Sequence, residues 1–249
     1  MDLGLKDKVA VVTGAGSQIG FGKGIALVLA KEGCDIAVSD IDLEGAEKSA
    51  AEVRGLGRKA IALKTDVTSI SQANDMIKSV LEQFGKIDIL VNNAGGSTPP
   101  QDFAETVETK WDKDLGLNLR GVLNCTRAVL PHMISRRSGK IVNIASVAGL
   151  GGQPSGTVYG AAKAGVIAFT QGLAQEVVES GINVNCIAPG MGATAFFDNM
   201  GPELNELVKK MKAANRCMAP EDIGNAVAFL VSDASRQMIG QCLAVRGTT

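Results

Sequence analysis

Lys8-Val9-Ala10-Val11-Val12-Thr13 runs into Gly14-Ala15-Gly16-Ser17-Gln18-Ile19-Gly20-Phe21-Gly22-Lys23-Gly24 and then into Ile25-Ala26-Leu27-Val28-Leu29-Ala30. The first run is short, β-branched and closed by glycine, so it reads as a buried strand. The last is a helical apolar pattern. Strand, glycine-rich turn and helix form the arrangement in which backbone N–H groups and a helix N-terminus cradle a pyrophosphate. A glycine-rich turn alone says little; this one has the required element on each side. Gly14, Ser17, Gln18, Gly20, Phe21 and Gly22 are therefore candidate dinucleotide contacts.

The next strand, Asp35-Ile36-Ala37-Val38-Ser39, ends at Asp40, 18 residues beyond Gly22. An acid near that interval meets the adenosine ribose, where a carboxylate accepts from a 2′-hydroxyl and repels a 2′-phosphate. No Arg or Lys stands in the turn before Gly20, and Lys23 is expected to face away along the helix. The expected cofactor is NAD, not NADP.

From there strand and helix alternate to the end: a helix over 43–54, a strand over 60–63 followed by Asp66-Val67, and a helix over 70–84. Strand 87–91 closes on Asn92-Asn93-Ala94-Gly95-Gly96, small residues suited to a backbone brought close to a flat ligand. A loop over 97–104 precedes one long helix over 111–134, which carries Asn118, a residue unfavourable in mid-helix. Strand 140–145 ends at Ser146, a helix runs to about 179, strand 182–187 leads to Pro189-Gly190, and helix 220–231 precedes a strand near 243–245. This alternation predicts one domain over 1–249, an α/β fold with a doubly wound parallel sheet. Residues 191–213, with Ala195-Phe196-Phe197, Met200, Leu204, Leu207 and Met211, break the pattern. They read either as core or dimer packing or as a lid over a substrate.

Tyr159 and Lys163 stand four apart among small residues, so a helix brings them to one face. A free phenol has a pKa of about 10 and is a poor base near neutrality. A nearby ammonium favours the phenolate, and the tuned phenol can then exchange a proton with a substrate oxygen. Ser146, at a strand end, could hold the same oxygen by hydrogen bond.

Composition narrows the classes further. Hydrophobic residues make up 45% of the 249 and charged residues 20%, which is ordinary for a globular protein. The net charge of −1 comes without a basic stripe, so nucleic acid is not an expected partner. The five cysteines are scattered and lack a C-x-x-C pair, which suits free thiols in a reducing cytosol. With no apolar signal core and no run long enough for a bilayer, the chain is expected to be soluble and cytoplasmic, with no membrane partner. His132 is the only histidine and has no ligand partner, so it is read as structural or exposed; no metal site is expected.

Taken in order, Thr13-Gly14 with Gly20 and Gly22, Asp40, Asp66, Asn92-Asn93-Ala94-Gly95, Asn118, Ser146, Tyr159-x-x-x-Lys163 and Pro189-Gly190-x-x-x-Thr194 resemble the short-chain dehydrogenase/reductase family in its single-domain form. The resemblance spans essentially the whole chain. It implies a Rossmann-like, seven-stranded sheet with helices on both faces. By it, Tyr159 is the acid/base, Ser146 orients the substrate oxygen, Lys163 also binds the nicotinamide ribose, and Asn118 holds a water in a proton relay. It also implies cofactor contacts from Asp66 and Val67 on the adenine side, from Asn92, Ala94 and Gly95 along the cleft, and from Pro189, Gly190, Ile187 and Thr194 near the carboxamide. Three departures stand out. Five residues, Ala15 to Ile19, separate motif glycines that the family usually spaces by three. Arg246-Gly247 replaces the usual acid before glycine, and Gly192 adds flexibility at the start of the excursion.

The expected activity is NAD-dependent interconversion of a secondary alcohol and a ketone. An excursion poor in carboxylates and arginines suggests a small-molecule substrate with a sizeable apolar part, such as a hydroxyacyl thioester or a cyclic or aryl alcohol. Two alternatives remain: an NADPH-dependent 3-oxoacyl thioester reductase, or a catalytically silent cofactor-binding subunit of a complex. A homo-oligomer is expected, a tetramer by the resemblance, with a hetero-oligomer alongside a homologue also open.

Overall fold

A computed structural model describes residues 2–192, 194, 201–214 and 217–247. Seven parallel strands form one sheet: β1 (Val9–Thr13), β2 (Asp35–Asp40), β3 (Ala60–Lys64), β4 (Ile89–Asn92), β5 (Gly139–Ile144), β6 (Ile182–Pro189) and β7 (Cys242–Val245). Their order is β3-β2-β1-β4-β5-β6-β7. The chain winds outward from β1 in one direction and from β4 in the other, so the switch point lies between those two strands. Ligands of doubly wound sheets bind in the crevice at the carboxyl ends there.

Alternation along each strand feeds two cores. Ala10, Val12, Ile36, Val38 and Val91 pack under α1 (Phe21–Lys31), α2 (Leu43–Gly55) and a C-terminal helix, Pro220–Val231. Val9, Val11, Ala37, Leu90 and Ile141 pack on the other face under α3 (Ile70–Phe84) and two later helices. The periodicity that marked 70–84 as amphipathic ends where Gly85, at φ 75°, supplies a left-handed cap.

The expected single helix over 111–134 is three pieces: α4 (Glu108–Leu115), a π turn (Gly116–Arg120) and α5 (Gly121–Arg136). The wider turn falls on Asn118, the residue that sits badly in a regular helix. A short α6 (Ala148–Gly151) follows β5, and α7 (Thr157–Val177) carries Tyr159 and Lys163. Beyond β6, α8 (Pro202–Ala213) and α9 (Pro220–Val231) complete the α-helices of the described residues. Gly24 of α1 lies so near α9 that a Cβ would stand 2.4 Å from that of Pro220. None of the described helices is long and apolar enough to cross a membrane.

Of the excursion, Ala195, Phe196, Phe197 and Met200 lie outside the described residues, as do the side chains of Leu204 and Leu207. His132 is structural: its Nε2 accepts from the Ile87 N–H at 3.1 Å, and burial lowers its pKa.

Candidate active site

At the carboxyl ends of β1, β2, β4, β5 and β6 a cavity of about 700 Å³ opens. That volume is within the range of sites for small ligands. Its first wall is the glycine-rich turn. Gly14 has φ 64°, and a Cβ there would stand 2.6 Å from the Cα of Ala94. A Cβ on Gly22 would stand 2.3 Å from the Gly14 carbonyl oxygen. Asn93 ties the knot, its Nδ2 donating to the Thr13 and Gly14 carbonyls at 2.9 Å each. The Thr13 hydroxyl accepts from the N–H groups of Asn93 and Ala94. Gly14, Ser17, Gly20 and Phe21 face the cavity, while Gly22 lies behind as the spacer that lets α1 approach. No side chain caps the first turn of α1, and no acid stands in it. Bare backbone donors beside glycines suit a pyrophosphate.

The two extra residues of the turn fold against α2. Gln18 is not in the cavity wall: its Nε2 donates to the carbonyls of Gly16 at 2.8 Å and Gly45 at 3.0 Å. These two bonds draw the side chain away from the cofactor position expected for it. Lys23 does turn from the cavity, donating to Gln18 and pairing with Glu52 at 2.7 Å.

Asp40 faces the cavity from the end of β2. Its carboxylate accepts from the Gly16 N–H at 2.7 Å and the Asp42 N–H at 3.0 Å. A carboxylate has about four acceptor positions, so two bonds fix its direction and leave capacity for a ligand hydroxyl. The lengthened turn thus orients the acid through Gly16, a role the sequence did not suggest. Thr65, Asp66 and Val67 continue this wall. Asp66 accepts from the backbone N–H of Thr68 at 2.9 Å and its hydroxyl at 2.7 Å, which holds the turn in place.

The other end of the cavity holds Ser146, Tyr159 and Lys163. Ser146 follows β5, where Ala145 and Val147 donate to the carbonyls of Ile187 and Pro189. Its Oγ accepts from the Ala148 N–H at 3.2 Å, and its hydroxyl hydrogen-bonds the Tyr159 phenol. Lys163 is 4% exposed; its Nζ donates to the Ile144 carbonyl at 2.8 Å and lies 5.8 Å from the Tyr159 ring centre. Burial moves both groups toward neutrality. It pushes the phenol above its ordinary value; the Ser146 bond opposes this and the Asp114 charge adds to it. It lowers the Lys163 ammonium to about 8. Burial, and not the expected downward pull of Lys163, sets the direction of the phenol's shift, because the side chain has lost its water.

Asn118 is fully buried behind the Gly95-Gly96 backbone, outside the cavity wall. Its Nδ2 donates to the carbonyls of Gly96 at 2.6 Å and Asp114 at 2.9 Å, and its Oδ1 accepts from the Gly96 N–H. The side chain expected to hold a water is spent on fixing this strand end. A Cβ on Gly95 would stand 2.9 Å from Asn118 Oδ1 and 3.2 Å from Lys163 Nζ, so Ala94 and Gly95 line the wall because they are small.

Asn92 is a correction. Its Nδ2 donates to Thr126 and Asn143 inside the core, and the cleft position belongs to Asn93. Strand alternation sends the two asparagines to opposite sides. Ile187 is another: its side chain packs in the core and its carbonyl serves Ala145. The wall beyond β6 is made by Pro189, Gly190, Met191, Gly192 and Thr194. Gly192 serves by smallness and not by flexibility, since a Cβ there would stand 2.2 Å from Cζ of Phe21.

Asp114 was not foreseen. It is 6% exposed, and its two oxygens accept from the N–H and hydroxyl of Thr98, each at 3.0 Å. With Asn118 one turn later, it pins the segment over 96–98 that borders the cavity. An acid four residues before a buried asparagine was the available signal.

The matched relatives agree with this architecture. A subunit of (2S)-[(R)-hydroxy(phenyl)methyl]succinyl-CoA dehydrogenase from Thauera aromatica, BbsD, is 37% identical over 98% of this chain and 97% of its own. The 3-oxoacyl-[acyl-carrier-protein] reductase FabG of Staphylococcus aureus is 39% identical over 96% of this chain and 97% of its own. Among solved structures, 3-ketoacyl-(acyl-carrier-protein) reductase from Brucella melitensis complexed with NADH is 33% identical, covers 98% of each chain and superposes with a TM-score of 0.89. The short chain dehydrogenase family model matches residues 8–205, and with near-complete coverage by these oxidoreductases the chain belongs to the short-chain dehydrogenase/reductase family.

Proposed function

We propose that the chain is an NAD-dependent dehydrogenase that interconverts a secondary alcohol and a ketone, acting on a substrate with a sizeable apolar part. The observation that carries this reading is one continuous cavity with Asp40 in one wall and Ser146, Tyr159 and Lys163 in another. The glycines of the turn and the capless start of α1 suit the pyrophosphate, and the Asp40 carboxylate suits an unphosphorylated ribose. When bound, a nicotinamide supplies or takes up the hydride at the carbinol carbon.

The chain's own residues handle the proton. Tyr159, with its pKa raised, holds its proton near neutrality and is set to give it to a ketone oxygen. Ser146, bonded to the same phenol, orients that oxygen. In the oxidative direction Tyr159 must accept the hydroxyl proton, so alcohol oxidation should gain from higher pH and ketone reduction from lower pH. Lys163, deep in the wall and anchored on Ile144, offers an ammonium to a ribose hydroxyl.

The substrate named for the Thauera aromatica relative bears a secondary alcohol beside a phenyl ring and a CoA thioester, which fits the apolar class expected here. A screen of hydroxyacyl thioesters and cyclic and aryl alcohols with NAD+, following NADH, tests the reading. Turnover should appear with at least one of them and vanish in Tyr159→Phe. A protein that binds NADH yet turns over none would favour a silent subunit. We further propose a homotetramer: Leu115 of α4 and Leu123 and Ile134 of α5 are exposed on helices that pack against symmetry mates in this family.

A further inference from the structure

A row of polar side chains crosses the sheet beneath the cavity wall. Asn92 of β4 is the register partner of Asn143 of β5, Asn143 of Cys186 on β6, and Cys186 of Cys242 on β7. Partners in parallel strands present their side chains on one face. Asn92 Nδ2 donates to Asn143 Oδ1 at 2.8 Å, and Asn143 Nδ2 to the Thr170 hydroxyl at 2.9 Å. Thr170 also hydrogen-bonds Cys186, whose thiol in turn bonds that of Cys242. The row therefore ends in a pair of adjacent free thiols, one buried and one half-buried on the last strand.

We propose that Cys186 and Cys242 are a redox-modification site that closes to a reversible intramolecular disulfide, Cys242 meeting the oxidant and Cys186 resolving it. Neighbouring strands lie about 4.7–4.9 Å apart, within the Cα separation of about 4.4–6.8 Å that a disulfide spans. Accessibility separates the two roles, since only Cys242 is partly open to solvent. Acidity agrees. The Cys186 hydrogen bond lowers the Cys242 thiol against the effect of burial, while that bond and burial raise Cys186. A more acidic, accessible thiol beside a second cysteine is the arrangement of redox-responsive sites. Cys34 and Cys125 differ: both are buried, and burial pushes their thiols up to about 12.

The oxidant is a hydroperoxide. The Cys242 thiolate attacks its terminal oxygen; an S–O bond forms, the O–O bond breaks, and the departing oxyanion takes a proton from solvent. Cys186 sulfur then attacks Cys242 sulfur; the S–S bond forms, the S–O bond breaks, and the departing hydroxide takes the Cys186 thiol proton as water. The two thiols lose two electrons and the peroxide gains them. A dithiol reductant reverses the change.

The test treats the wild-type protein with hydrogen peroxide, alkylates the remaining thiols and maps peptides without reduction. Expected are a peptide pair cross-linked through Cys186 and Cys242, a fall in alkylatable thiols from five to three, and recovery by dithiothreitol. Cys186→Ala should leave Cys242 carrying oxygen with no cross-link. Five thiols surviving, Cys242 oxygenated without linking in the wild type, or a disulfide between two copies of the chain would each overturn the proposal. The wild-type map decides the matter even where a cysteine variant folds poorly.

Discussion

Tyr159 and Lys163 are buried together on one face of α7, and the shift of each toward its neutral form follows from that shared loss of water. Tyr159→Phe removes the phenol and its bond to Ser146 but adds no bulk. We expect kcat to fall by roughly 10²–10⁴-fold, the usual worth of positioned proton transfer, with NADH affinity nearly unchanged. Retention of more than a tenth of the rate would contradict the role given to the phenol. Lys163 makes a separate prediction about stability. Its ammonium titrates near 8 in the folded chain against the ordinary 10.5. Between those values the unfolded chain holds the extra proton, so this group makes stability rise with pH, by at most about 1.4 kcal/mol per unit. Urea unfolding between pH 7 and 11 should show that rise in the wild type relative to Lys163→Met; parallel curves would count against the burial of this charge.

The turn between β1 and α1 is held by contacts that admit no side chain. A Cβ on Gly22 would meet the Gly14 carbonyl oxygen at 2.3 Å and Asn93 Nδ2 at 2.5 Å. Gly22→Ala should weaken NADH binding more than tenfold and cost about 1–3 kcal/mol of stability, measured by titration and by urea unfolding. The loop before α4 makes the complementary case. Asp114→Ala frees Thr98, so KM for the alcohol should rise while the NADH Kd holds; equal shifts in both would reduce Asp114 to a general stabiliser. At this scale the sequence was informative wherever periodicity or glycine spacing carried the signal: 70–84 and 220–231 match α3 and α9 to the residue. It was uninformative where a contact across the fold decides. Nothing local tells Asn92 from Asn93, because strand phase selects which one meets the cleft. The π turn at Asn118 and the anchoring of Asp40 by Gly16 depend on segments far away in the chain. The same holds for Gln18, which looks like a phosphate contact until α2 is seen to claim it.

The whole molecule is tied at its base by Asp88, which accepts from the Val9 N–H at 2.9 Å and pairs with Lys86 at 3.0 Å and Arg136 at 3.1 Å. Burial works to raise this carboxyl, yet Val9 and the two cations outweigh it and hold the pKa below its ordinary value. Its contribution is complete above the ordinary carboxylate range and is lost as pH falls through the folded pKa. Asp88→Asn should therefore cost about 1–3 kcal/mol at neutral pH, with the gap to wild type closing below pH ~4. At the opposite edge of the sheet, cofactor choice is the point on which the whole account turns. Asp40 is aimed by Gly16 and Asp42, and neither Lys23, engaged by Gln18 and Glu52, nor any other basic side chain stands in the wall beside it among the described residues. Titration of the purified wild-type protein with NADH and with NADPH is the most direct measurement. The account predicts NADH binding at least tenfold tighter, with Asp40→Ala narrowing the ratio mainly by weakening NADH. NADPH binding as tight as NADH would contradict it and favour a 3-oxoacyl thioester reductase.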